Sequence, residues 1–161
     1  MKYIRVNHVD AEPMAFGEFK AKFPKSGGAN VERDPADEGY VITYRKGEPN
    51  EYISWCPKAE FDAVSRPIDG MTFGMAIEAM KRGKKVARRG WNGKGMYLWL
   101  LPATEVKKEW CRDPRLIEAM GERDALPCLG SIRMFTATKE VLTGWLASQT
   151  DMLADDWVIV E

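Results

Sequence analysis

The chain has 161 residues, 45% hydrophobic and 30% charged, and its 24 basic and 24 acidic side chains cancel to a formal net charge of zero. That length holds one domain or two small ones with enough apolar material for a core. Balanced charge argues against a general nucleic-acid coat, which needs net positive charge to displace counterions from phosphates.

No stretch approaches the roughly 20 apolar residues of a membrane span. The segment MKYIRVNHVDAEP has no apolar h-region, so it does not read as a signal peptide. Cys56, Cys111 and Cys128 are odd in number and form no CxxC pair, which fits a reducing cytoplasm and gives no disulfide or metal framework. His8 is the single histidine, so a histidine-based triad is nearly excluded and a zinc site is short of ligands. Asp155 and Asp156 are adjacent, do not converge on one substrate atom in a regular element, and read as a solvated face. No motif argues for catalysis, and no cofactor is expected.

Residues 1–67 read as a small α+β module. KYIRVNHV is a predicted strand. GGAN and DPADEG are loop signals. GYVITYRKGEPNEYISW reads as two strands around a polar turn. PKAEFDAV is a short helix with Pro57 in its first turn. SRPIDG is a linker ending near Gly70, and the module offers no defensible site.

Residues 70–161 form a second module. Thr72 is the predicted N-cap of a helix, FGMAIEAMKR, whose stripe Phe73, Ala76, Ile77 and Met80 has helical spacing. Gly83 stops it, with Lys81 and Arg82 in the last turn. KKVARRG is a short strand, Asn92-Gly93 a hairpin-turn signal, and GMYLWLLP the return strand. Residues 102–130 are a polar excursion with a short helix near Pro114 to Gly121. SIRMFTAT, VLTGWLA and DWVIVE are further strands. Ser148 is placed to cap a short helix, with Asp151 as its capping-box partner. The expected fold class is α+β: a small, mostly antiparallel sheet with helices on it.

The stretch RRGWNGKGMYLWL, from Arg88 to Leu100, crowds aromatics, cations and glycines together. Tyr97 and Trp99 lie on one side of an extended chain, and Met96, Leu98 and Leu100 on the other. Two readings stay open. Trp91 is a hydrophobic lid on the hairpin, or it is a stacking plate for a nucleobase. Lys94, Arg88 and Arg89 are a solvated edge that discourages sheet aggregation, or they meet a phosphate. Asp151 is a helix cap, or it accepts a hydrogen bond from a ligand. From Lys81 to Lys94 there are seven basic residues and no acidic one, and from Ser148 to Glu161 four acidic residues and no basic one. Charge balances locally only if the fold joins these runs.

The stretches MTFGMAIEAMKRGKKVARRGWNGKGMYLWL, KKEWCRDPRL and IRMFTATKEVLTGWLASQTDMLADDWVIV resemble a phage family, the second Thoeris anti-defence family, over about residues 70–161. The resemblance implies a non-enzymatic sponge that binds immune signalling nucleotides and holds them uncleaved. It implies glycocyclic ADP-ribose as a ligand, with cyclic di- or trinucleotides of CBASS as further ones. It also implies a homotetramer with pockets between subunits, acting in the cytoplasm of the infected host. On this resemblance Trp91 and Tyr97 offer stacking surfaces. Lys94, Arg89 and Arg133 offer charge-assisted donors, and Asn92, Ser148, Gln149 and Asp151 offer hydrogen-bond partners. No membrane and no DNA or RNA polymer is expected as a partner. The rival readings are a phage structural or accessory protein acting through protein contacts, and a hydrolase of the same signals.

Overall fold

The computed structural model describes residues 7–160, and the chain divides into two compact units between Arg66 and Pro67. The fold is α+β, with antiparallel sheets and short helices in both units.

The first unit holds β1 (Asp10–Pro13), α1 (Phe16–Lys22), β2 (Gly39–Tyr44), β3 (Tyr52–Pro57) and α2 (Lys58–Val64). Its sheet runs in the order β1-β2-β3, antiparallel throughout. The expected strand KYIRVNHV lies mostly outside the described residues; among those described, strand pairing begins at Asp10, opposite Thr43. Phe16, Phe19, Ala29, Val41 and Trp55 form the core. The Trp55 indole N–H donates to the Met14 carbonyl at 2.8 Å, so this large ring is buried with its polar atom satisfied. α1 was not expected from the sequence. Pro57 stands at the N-cap of α2 rather than inside its first turn.

The second unit opens with α3 (Phe73–Lys81), where Thr72 Oγ1 accepts from the Met75 amide at 3.4 Å as the expected N-cap. Gly83 takes a positive φ of 80° beyond the helix end, the left-handed conformation that favours glycine. There follow β4 (Lys85–Arg88), β5 (Tyr97–Leu101), β6 (Thr104–Lys107), a turn of 3-10 helix (Lys108–Trp110), α4 (Pro114–Met120), β7 (Ala125–Cys128), β8 (Ser131–Phe135), β9 (Val141–Thr143), α5 (Gln149–Met152) and β10 (Trp157–Val160). The main sheet runs β10-β4-β5-β8-β9, all neighbours antiparallel, and β6 pairs with β7 separately.

Period-two alternation decides which face is core. Val86, Leu98 and Met134 are paired across three strands and are buried, together with Ala76, Ala79 and Met80 of α3. Met96 and Leu100 pack on the same cluster, as the alternation in the sequence predicts. Tyr97, Trp99 and Phe135 therefore stand on the opposite face, with the Tyr97 and Phe135 rings stacked at 5.1 Å.

Two expectations need correction. Asn92-Gly93 is not a tight hairpin turn: β4 ends at Arg88 and β5 begins at Tyr97, and the positive φ of the connection falls at Gly95. VLTGWLA is not one strand. Pairing stops at Thr143, Gly144 takes a φ of 82°, and Trp145 turns back to pack on the core.

Candidate functional site

Where β4 ends, the sheet meets the segment that runs from α5 into β10. Ser148, Asp151 and Trp157 lie on that segment, and Arg88, Gly90 and Trp91 on the other side. Ser148 and Asp151 form the predicted capping box. Asp151 N–H donates to Ser148 Oγ and Ser148 N–H donates to Asp151 Oδ2, both at 3.1 Å.

The Asp151 carboxylate does much more than cap. Oδ2 also accepts from the Ser148 hydroxyl at 2.6 Å. Oδ1 accepts from Arg88 Nη1 at 2.9 Å and from the Trp91 indole N–H at 3.0 Å. A carboxylate offers about four lone-pair sites, and four donors fill them here. Asp151 is only 8% exposed, and it is the one buried charged residue among the described residues. Burial by itself would raise its pKa. The hydrogen bonds from Ser148, Arg88 and Trp91 outweigh that and lower it from 3.8 to about 2.

Asp156 is the second anchor. Its Oδ1 accepts from Arg88 Nε at 2.8 Å and its Oδ2 from the Gly90 amide at 2.7 Å. The bond from Arg88 and the Gly90 amide hold its carboxyl below the usual range. Arg88 is raised in turn by Asp156 and Asp151. The sequence reading of Arg88 and Asp156 as solvated charges is thus corrected: the Arg88 side chain is 16% exposed and bridges both carboxylates. The basic run and the acidic run do meet.

Trp91 packs edge-on against Trp145 and Trp157, with ring centroids 6.2 and 5.4 Å away. Trp157 is fully buried and donates its indole N–H to the Asp151 carbonyl at 3.0 Å. Half-buried Trp91 is thereby fixed in position, with its N–H spent on Asp151. The lid reading of Trp91 and the cap reading of Asp151 both describe real contacts.

The other candidates are distributed as follows. Asn92 and Lys94 are exposed on the 89–96 connection, and Ser148 and Gln149 are exposed at the start of α5. Arg89 is exposed, 3.9 Å from Asp69. Tyr97 and Arg133 are not part of this group: alternation puts them on the far face of the sheet, where Arg133 sits opposite Trp99 and Thr143 in the register. Arg133 Nε is buried there without a hydrogen-bond partner. Within one chain, therefore, Trp91 and Tyr97 stand on opposite sides of the sheet. Asp156, Trp145 and Trp157 were missed as site-building residues, and Arg88 was weighed only as an edge cation or a phosphate partner. Asp156 lies 68 residues from Arg88, and no local signal announces such a pair.

Among the described residues no group of three or more His, Cys, Asp or Glu is placed to hold a metal ion. No described helix is long and apolar enough to cross a membrane.

The unit is thus a small antiparallel sheet with short helices and an aspartate-anchored tryptophan loop at one end. The model of the Thoeris anti-defense 2-like domain matches residues 71–160, and the chain belongs to that family. It is similar to the protein "Thoeris anti-defense 2" of Bacillus phage SP01, with 37% identity over 90 residues, which cover 56% of this chain and 94% of the relative.

Proposed function

We propose that the second unit binds cyclic nucleotide immune signals and sequesters them without cleavage, with glycocyclic ADP-ribose of Thoeris as the first ligand and cyclic di- or trinucleotides of CBASS as further ones. Family membership supports the coarser statement, an anti-defence action against Thoeris. The observation that carries the finer one is the fixed Trp91 indole, held by Asp151 at the base of a connection that presents Asn92, Lys94 and Arg89 to solvent. An aromatic plate whose rotamer is already set loses little entropy on stacking a base. Cations beside it match the phosphates of such a ligand.

Asp151 enters this reading as the residue that holds Trp91 and Arg88, since its own lone pairs are taken. Tyr97 and Arg133, on the other sheet face, complete a pocket only if a second copy supplies them. The proposed assembly is accordingly a homotetramer, in which the Tyr97, Trp99 and Phe135 face is covered by a neighbour. The place of action is the interior of the infected bacterial cell.

The deciding experiment incubates the protein with glycocyclic ADP-ribose, denatures it by heat, and analyses the released nucleotide. Intact ligand recovered in stoichiometric amount supports sequestration. Cleaved ligand would mean a hydrolase. No retained ligand of any class, across a panel of cyclic nucleotides, would point to an accessory protein that works through protein contacts.

A further inference from the structure

We propose that Asp156 and Gly90 are positioning residues for the tryptophan loop: the Asp156 carboxylate sets the path of the chain as it leaves β4, and the bare Cα of Gly90 is what allows that approach. The inference rests on the reading that the 89–96 connection meets the ligand, and it adds residues and a device that this reading does not contain.

Three consecutive residues are tied to Asp156. Arg88 Nε bonds Oδ1 at 2.8 Å, the Arg89 amide bonds the Asp156 carbonyl at 3.1 Å, and the Gly90 amide bonds Oδ2 at 2.7 Å. The next residue, Trp91, is tied to Asp151, and Arg88 links the two carboxylates. The first four residues from the end of β4 are thus held by two aspartates of one short segment. Asn92, Lys94 and Gly95 are then exposed beyond this fixed base.

Gly90 shows that the contact constrains the sequence. Its φ does not lie in the left-handed region, so backbone conformation does not demand glycine there. Space does: a Cβ at Gly90 would lie 2.7 Å from Asp156 Oδ2 and 3.4 Å from Arg88 Nη2. A methyl group at this position obliges the Asp156 carboxylate to shift from the place where it meets the Gly90 amide. Glycine and aspartate therefore form one device, and losing either frees the same loop.

The test uses the full chain and three variants, Asp156→Ala, Asp156→Asn and Gly90→Ala. Affinity for glycocyclic ADP-ribose is measured by calorimetric titration well below the melting temperature. In parallel, 5-fluorotryptophan is incorporated and the Trp91 signal, assigned through Trp91→Phe, is followed by fluorine NMR without ligand.

The expected result is a folded Asp156→Ala and Gly90→Ala with affinity weaker on the order of 10-fold, the scale of one lost hydrogen bond to a charged group, and with a displaced or broadened Trp91 signal. Asp156→Asn, which keeps an acceptor for the Gly90 amide but not the charge, falls between them and the parent. A Trp91 signal and an affinity that stay at parental values in all three variants overturn the proposal. So does a lowered melting temperature with unchanged affinity, because that is what a merely structural role yields. If Asp156→Ala does not fold, the other two variants decide. If the parent itself does not bind the probe, the proposed function fails, and the fluorine signal alone decides the positioning role: unchanged overturns it, changed supports it.

Discussion

The indole nitrogen of Trp91 lies 3.0 Å from Oδ1 of Asp151, sixty residues further along the chain. The same oxygen takes a hydrogen bond from Arg88 and the other oxygen takes those of Ser148, so one carboxylate joins the end of a strand, a loop tryptophan and a helix cap. Removing it acts on all three. Asp151→Ala is expected to cost about 3 kcal/mol of stability, the sum of a lost cap and a half-stripped buried ion pair. Asp156 keeps one partner for Arg88 and limits the loss. Urea denaturation measures it, and a cost under about 1 kcal/mol would mean that the carboxylate only caps α5.

Trp91 separates packing from binding. Trp91→Ala removes both the ring and its N–H, and affinity for glycocyclic ADP-ribose is expected to fall by about 5- to 150-fold, equivalent to roughly 1–3 kcal/mol of stacking. Trp91→Phe keeps a stackable ring and drops the bond to Asp151. Its affinity is expected to fall between those of the parent and Trp91→Ala, with a loss of stability. Calorimetric titration and thermal melting on both variants check this. Melting that falls in Trp91→Ala while affinity holds would make the ring a lid alone.

Strong acid should weaken this cluster. Asp151 titrates at about 2 in the fold against an ordinary value of 3.8. A depressed carboxylate contributes stability that is fully present above the unfolded value and is lost as pH falls through the folded one. The difference is worth about 2 kcal/mol, and it disappears between pH 4 and pH 2. Asp156, also lowered, adds in the same direction. Denaturation of the parent and of Asp151→Asn at pH 7 and at pH 2 should show a stability gap at neutrality that closes in acid. A gap of equal size at both pH values would contradict the assignment.

The two units can be tested one against the other. A chain beginning at Pro67 keeps the Ile68 carbonyl that accepts from the Ile159 amide at 3.1 Å, and it is expected to fold and to bind. In the full chain, Gly39→Ala places a Cβ 2.2 Å from the Trp55 ring and 2.4 Å from the Cys56 carbonyl. Overpacking against backbone costs typically 1–3 kcal/mol or more, and this should unfold the first unit at lower denaturant while binding persists. A shortened chain that folds but has no affinity would show that residues before Pro67 build part of the pocket.

Light scattering tests the proposed assembly. The proposed homotetramer has the mass of four chains at micromolar concentration, and Trp99→Glu, on the face proposed to be covered, is expected to lower it. A monomer mass for the parent would refute the tetramer, and with it any pocket that combines Trp91 with Tyr97.

Local signals in this sequence were legible, and distant ones were not. Thr72 and Ser148 announce their helices because a cap needs only its own next three residues. Leu98 announces the face that it shares with Met96 and Leu100 because alternation is a property of the strand itself. Asn92-Gly93 misleads because its turn preference is local, whereas the path of the chain there is tied to Asp156, which lies just before β10. The short strands β6 and β7 were hidden in the polar excursion, since they carry no alternating apolar pattern: Thr104, Glu105 and Lys107 are all exposed. The α1 segment FGEFKAK is one short helix with glycine at its second position, too weak a pattern for periodicity to find. Of the site, Trp91 and Asp151 stood out one at a time. Their contact, and the arginine between them, needed the fold.

Trp91, Trp145 and Trp157 stand with every pair of ring centroids between 5.4 and 6.3 Å and every pair of planes between 65° and 79°. Indoles this close and this steeply inclined couple their electronic transitions, so the trio constitutes a chiral chromophore within the protein. Its circular dichroism couplet reports the tilt of one ring against the other two. Since Trp91 alone of the three lies in the 89–96 connection, any event that reorients that loop is written into the ultraviolet spectrum without a label.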